Sequence, residues 1–204
     1  MEFKRTFGRF GQNKRYMPVQ KTTKDEIITK SIEVFRKQGY HKTSMSDLAT
    51  ACGLQKGSFY YHFKSKEELM QAVLQMVHSY YKKKVFSIAY EKSLSAEDRF
   101  VKLFKKQEPI ITQDLAGCLF GNMTLESISN KMEFKNFLKS FFSDWIAAFQ
   151  HLYQEQHEEA QALVLAKQSV MEIEGALMMM RLYDDKDLLK SACLRVLDRL
   201  KNEA

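Results

Sequence analysis

The side chains best equipped for chemistry lie between Gln55 and Lys66. Gln55, Lys56, Ser58, Tyr60, Tyr61, His62 and Lys66 supply hydrogen-bond donors and aromatic rings there, with no acidic residue among them. Such a set suits phosphate oxygens and base edges better than covalent chemistry. At about 100° per residue, Phe59 and Phe63 fall on one side of a helix begun at Gln55, and Gly57, Ser58 and Tyr61 near the other. Lys56, Tyr60 and His62 lie on the flanks. The phenylalanines anchor the helix, and the opposite face is presented, with Gly57 allowing close backbone approach.

A helix this short must be held by neighbours. Upstream, Ser44 and Asp47 have capping-box spacing, and Met45, Leu48, Ala49 and Cys52 recur at helical spacing until Gly53 stops the turn. Leu54 then packs back, so two short helices meet in a tight turn. Downstream, Ser65 and Glu68 predict a second capping box for a longer helix whose first turn carries Lys66 and whose amino-terminal end suits a phosphate. Before both, Thr23 and Glu26 start a helix with Ile27, Ile28, Ile32 and Phe35 on one face up to Gly39. Its role is support.

Charge follows the same division. Residues 1–66 carry 14 Lys+Arg against 5 Asp+Glu, and the remainder carries 18 against 20, within a formal net charge of +7. Attraction to a polyanion therefore sits in the amino-terminal third. A membrane partner is not expected, because no stretch reaches spanning length and no basic amphipathic helix has a broad apolar face. The start of the chain is polar and basic without a hydrophobic signal core, which predicts a cytoplasmic protein. Cys52, Cys118 and Cys193 are odd in number and lack CxxC spacing, so reduced thiols are expected, with no metal site and no cofactor. Residues 1–22 place Lys4, Arg5, Arg9, Lys14, Arg15 and Lys21 among Gly8, Gly11 and Pro18 without helical period. They read as a flexible basic arm, a disordered tail being the simpler case and an extension toward the minor groove the alternative.

From Gly39-Tyr40 through Thr43-Ser44, Asp47-Leu48-Ala49, Ala51, Gly53-Leu54, Lys56-Gly57-Ser58 and Phe59-Tyr60-Tyr61-His62-Phe63 to Ser65-Lys66 and Leu69, the chain resembles the DNA-binding region of TetR-type transcriptional regulators. The resemblance implies an all-α protein: a three-helix helix-turn-helix domain over 23–68 and a larger helical ligand-binding and dimerisation domain over 69–204. It implies a homodimer on a double-stranded DNA operator, paired through its last two helices and released by a small-molecule inducer. Carried over position by position, Thr43, Ser44, Tyr60, His62 and Lys66 would meet phosphates. Gln55, Lys56, Gly57, Ser58 and Tyr61 would lie nearest the bases.

The body beyond is amphipathic helix throughout. The helix from Ser65 turns Leu69, Val73, Val77, Tyr80 and Tyr81 inward; a helix capped by Ser95 and Asp98 carries Phe100, Leu103 and Phe104 and is expected to end at Pro109. An aromatic stripe runs from Phe134 through Phe141 and Trp145 to Tyr153, and two apolar helices close the chain. Gly117-Cys118-Leu119, with Asn122 and Glu126, resembles a segment of one branch of the family. Soft and aromatic side chains, Cys118, Phe120, Met123, Phe141, Phe142, Trp145, Met171 and Met178 to Met180, are the candidates for a ligand pocket; simple core filling is the competing reading for each. A helix starting at Gly117 would lower the Cys118 thiol pKa and make it reactive to electrophiles, against which stands a small buried thiol. Glu172 and Glu174 could orient a cationic ligand or merely be paired.

An enzyme is not expected. His41, His62, His78, His151 and His157 form no HxxxH pair, and there is no GxSxG or phosphate-binding glycine loop. A sequence-specific regulator, most simply a repressor, is the first reading. A non-specific architectural DNA-binding protein is the alternative.

Overall fold

The computed structural model describes residues 22–127 and 134–201. The basic arm expected over 1–22 therefore lies outside the described residues but for Thr22. Among the described residues every regular element is helical.

Helix α1 (Lys24–Gln38) opens with the full Thr23/Glu26 capping box and buries Ile27, Ile28 and Phe35. α2 (Met45–Cys52) opens with the Ser44/Asp47 box, which holds the Asp47 carboxyl below its ordinary pKa. Gly53 ends α2 in the left-handed conformation, at φ 69°, and the Leu54 amide returns to the Ala49 carbonyl at 2.9 Å. α3 (Lys56–His62) follows, with Phe59 and Phe63 buried in the core.

α4 (Lys66–Lys84) leaves this unit and enters the larger body. Ser65 caps it by accepting from the Glu68 amide, but the capping box is only half made. The Glu68 carboxylate accepts instead from the Lys64 amide at 2.7 Å, one residue earlier than expected. Leu69, Val73 and Tyr81 are buried as expected, whereas Tyr80 is 38 % exposed.

After a short 3-10 segment (Phe86–Tyr90), α5 spans Ala96–Thr112 and does not stop at Pro109. Both Pro109 and Lys105, whose carbonyl the proline cannot satisfy, lie at the solvent face, where water can take over the missing bond. α6 (Leu119–Ser127), α7 (Lys135–Tyr153), α8 (Glu159–Tyr183) and α9 (Asp187–Lys201) complete the body. α7 and α8 pack along each other, joined inside by the Tyr153 and Ser169 hydroxyls at 2.8 Å. No described helix is long and apolar enough to cross a membrane.

Candidate nucleic-acid interface and ligand cavity

The two phenylalanines hold α3 so that Gln55, Lys56, Gly57 and Ser58 stand exposed and Tyr61 is 79 % exposed, while Tyr60 and His62 are half-buried. The Lys64 ammonium lies 6.0 Å from the Tyr61 ring, and the His62 ring meets that ring edge-on. Ser44, at the start of α2, is exposed as well. The structure thus brings eight of the ten sequence-derived contact residues, Ser44 and Gln55 to Lys56, Gly57, Ser58, Tyr60, Tyr61 and His62, to the surface around α3.

Thr43 and Lys66 are placed differently. Thr43 is buried, its hydroxyl donating to the Gly39 carbonyl at 2.6 Å. The half-buried Lys66 ammonium donates to the carbonyls of Tyr40 at 2.9 Å and Thr43 at 3.0 Å and sits 4.3 Å from the Tyr40 ring. The Thr43 side chain braces the turn between α1 and α2 from within, and Lys66 ties that turn to the start of α4.

The larger body contains a cavity of about 250 Å³. Its floor is aromatic: the Phe120 and Phe141 rings stack at 3.8 Å and 4°, and Trp145 meets Phe141 edge-on at 6.0 Å. Cys118, Phe120, Phe141 and Trp145, four of the sequence candidates, line it. Met123 does not; it is core, 2 % exposed. Met171 and Met178 are 64 % and 57 % exposed on the outer face of α8, Met178 bordering a second, shallower cleft that also contains Glu174. Their softness suggested a pocket, but helical phase turns them away from it.

Sequence reasoning missed the walls supplied by α1, α4 and α5, where Ile32, Arg36, Met76, Tyr81 and Gln107 line the cavity. Signals were present. Gln107 interrupts the apolar face of α5, and Arg36 follows Ile32 by one helical turn.

Cys118 sits directly before α6 in the capping position, its sulfur accepting from the Gly121 amide at 3.4 Å. The helix amides do favour the thiolate. Complete burial and the neighbouring Glu174 carboxylate outweigh them, and the thiol is raised well above its ordinary pKa, which corrects the expectation of a lowered value. Burial likewise raises Glu174 to about 7. Gly121 leaves the room that Glu174 occupies, since a side chain there would collide with its carboxylate. Glu172 is paired with Arg195 and Arg199 of α9 and faces no ligand space.

One further contact joins the two sites. The Glu126 carboxylate, near the end of α6, accepts from the backbone amides of Tyr40 at 2.8 Å and His41 at 3.0 Å, while the His41 ring meets the Glu126 carbonyl at 3.0 Å. α6 therefore begins at the cavity and ends on the turn that feeds α2.

A short anchored helix presented by a helix-turn-helix, on a helical body with an apolar cavity, defines a DNA-binding regulator fold. Residues 27–73 match the family described as bacterial regulatory proteins, tetR family, and residues 99–193 match the LmrA/YxaF-like transcriptional regulator C-terminal domain. The chain is 31% identical over 127 residues to the transcriptional repressor DhaR of Mycobacterium sp. (strain GP1), a match covering 62% of this chain and 63% of that protein. It is 27% identical over 184 residues to an uncharacterised helix-turn-helix regulator of Lactococcus lactis subsp. lactis, covering 84% and 89% of the two. A crystal structure of a TetR transcriptional regulator from Legionella pneumophila superposes with a TM-score of 0.81 at 28% identity, over 91% of this chain and 100% of that one. The chain belongs to the TetR family of helix-turn-helix transcriptional regulators, DNA-binding proteins and not enzymes.

Proposed function

We propose that this chain is a homodimeric repressor that binds a near-palindromic operator and is released by a small, largely apolar molecule in the 250 Å³ cavity. α3 of each subunit enters one major-groove half-site, with half-sites about one helical turn or a multiple apart. Gln55, Lys56, Gly57, Ser58 and Tyr61 approach the bases, and Ser44, Tyr60 and His62 approach phosphates. Lys66 and Thr43 act one step back, fixing the turn that aims α2 and α3.

The observation that carries the release step is the composition of the cavity wall. Ile32 and Arg36 belong to α1 and Met76, Val77, Tyr80 and Tyr81 to α4, so an occupant touches the helices that carry the reading head. On the other side the cavity is lined by Cys118, at the start of the helix that ends in the Glu126 clasp. An occupant that fits only a displaced α4 or α6 weakens DNA binding by its differential affinity for that arrangement. The raised Cys118 thiol favours a reversible, non-covalent occupant over an electrophile.

Selection of bound duplexes from a random pool tests the DNA half. An enriched palindrome held roughly a thousandfold more tightly than unrelated DNA at physiological salt supports the specific regulator. Binding without an enriched motif, fading only with salt, supports the architectural alternative. Lys56→Ala then separates roles: a flatter salt dependence marks a phosphate contact, and relaxed sequence preference at unchanged slope marks base reading.

A further inference from the structure

We propose that Lys64, outside the reading helix, makes the phosphate contact at the carboxy-terminal end of α3, the role that the resemblance gives to Lys66, and that from there it steadies the Tyr61 ring against the bases. This rests on the reading of α3 as the element that enters the major groove.

The argument starts from which cations near α3 are already engaged. The Lys66 ammonium donates to the carbonyls of Tyr40 and Thr43 and stands 4.3 Å from the Tyr40 ring. Turning it to a phosphate would strand both carbonyls. The Lys24 ammonium lies 5.2 Å from the ring of Phe63, on the anchoring side of α3. Lys64 is placed otherwise. Its side chain is exposed, it makes no ion pair among the described residues, and its ammonium stands 6.0 Å from the ring of Tyr61 on the presented face.

The nearby carboxylates leave that charge in place, because each is engaged by a neutral donor. Glu68 accepts from the Lys64 backbone amide at 2.7 Å, Glu67 from the Tyr40 hydroxyl at 3.0 Å, and Asp47 from the Ser44 amide at 2.8 Å and hydroxyl at 2.7 Å. The Lys64 charge therefore remains available to a polyanion.

Its root is also fixed from both sides. The Phe63 amide closes α3 on the Phe59 carbonyl at 3.1 Å, and Glu68 ties the Lys64 amide to the first turn of α4. The half-made capping box of α4 thus has a use: the carboxylate that does not reach the Ser65 amide holds Lys64 instead. An ammonium on a pinned root loses less freedom on binding than one on a loose loop. Donating to a phosphate oxygen, it keeps its attraction to the face of Tyr61, whose ring the His62 ring meets edge-on at 5.6 Å.

The test measures affinity of the full-length protein for duplex DNA across a salt series, on the selected operator and on an unrelated duplex. Lys64→Met is expected to flatten the slope of log affinity against log salt by about 0.9 for each subunit, or about 1.8 for a dimer on two half-sites, and to weaken binding about tenfold or more at physiological salt. Lys64→Arg should restore the slope, and Lys66→Met, compared as folded protein, should leave it unchanged. Combining Lys64→Met with Tyr61→Leu reads the second role. On the operator the double variant should lose clearly less than the product of the two single losses, because a ring without its cation is already misplaced.

A parental slope in Lys64→Met, or a slope lost in Lys66→Met instead, overturns the phosphate contact. Single losses that simply multiply overturn the positioning of Tyr61. If no operator is enriched, the specific-regulator reading fails, while the slope on unrelated DNA still judges Lys64.

Discussion

At the scale of single residues, the same side-chain type takes a role that depends on what surrounds it, and Lys66 illustrates this. Its ammonium accounts for two buried-side carbonyls, at 2.9 and 3.0 Å, and so stabilises the turn before α2. Lys66→Met should therefore lower unfolding stability by about 2 kcal/mol, the usual worth of bonds to a charged donor, as read by urea denaturation. If stability is unchanged and only the salt slope of DNA binding falls, Lys66 is a phosphate contact after all. The thiols give a second case. All three cysteines are buried, with burial raising each, Cys193 to about 12. Native protein at neutral pH should thus react slowly with a disulfide reagent that titrates all three in denaturant; a fast single-thiol phase would restore a reactive Cys118. Glu174 supplies the pH dependence. Its folded pKa of about 7 stands above the ordinary 4.5, so the folded state holds the proton more tightly and stability falls as pH rises between those values. The cost of the buried charge is absent below the lower value and complete above the upper one. Glu174→Gln should remove that decline, gaining on the order of 2–3 kcal/mol over the parent at pH 8 relative to pH 5, by thermal or urea melts at each pH. Asp47, Glu67 and Glu172 have lowered values and stay ionised across this window, so they do not mask it.

At the scale of elements, α6 is the connection whose loss should separate binding from response. Gly39 lies at φ 79° and ψ 166°, a conformation that side chains avoid, and a Cβ there would stand 2.8 Å from Glu126 Oε1. Gly39→Ala should cost about 1–3 kcal/mol in stability. Glu126→Ala leaves the glycine at ease but releases the Tyr40 and His41 amides. The expected result is unchanged ligand affinity in the cavity with a smaller effect of an occupant on operator affinity, compared by titrating DNA with and without it. Full coupling in Glu126→Ala would route the signal through α1 and α4 instead. The sequence revealed what is local. Capping boxes at Thr23 and Ser44, the Gly53 stop and the Phe59/Phe63 anchor all act within four residues, and each was legible. Pro109 misled because the rule that it ends a helix weakens where the stranded carbonyl faces water. The cavity was half legible. Its aromatic floor is one helical stripe of α7 joined by Phe120, whereas Arg36, Met76 and Gln107 reach it from three other helices, and no spacing in the chain encodes that meeting. The softness of Met171 and Met178 points to a pocket, but phase alone decides which way such a side chain points.

At the scale of the whole molecule, that same phase supplies the argument for pairing. Val164, Met171, Met178 and Leu182 fall within about 40° of one another around α8, roughly opposite the buried Ala166, Val170, Ile173 and Leu177. Their exposures of 46, 64, 57 and 68 % mark an apolar stripe, and Leu194 of α9 is exposed at 51 %. A monomer rarely leaves such a surface to water. In the proposed homodimer a second copy related by a two-fold axis would bury the stripe against itself and would fix the separation of the two reading heads on which operator choice depends. Glu substitutions at Met178 and Leu182 together place four like charges across that seam without touching the core of either subunit. The double variant should keep its helical circular dichroism, sediment as a monomer, and lose at least a hundredfold in operator affinity, because each head must then bind its half-site without the effective concentration its partner provided. Its residual binding should be to single half-sites. A variant that stays dimeric places the seam elsewhere on α8 and α9, and a monomer that keeps full operator affinity removes the link between pairing and DNA recognition.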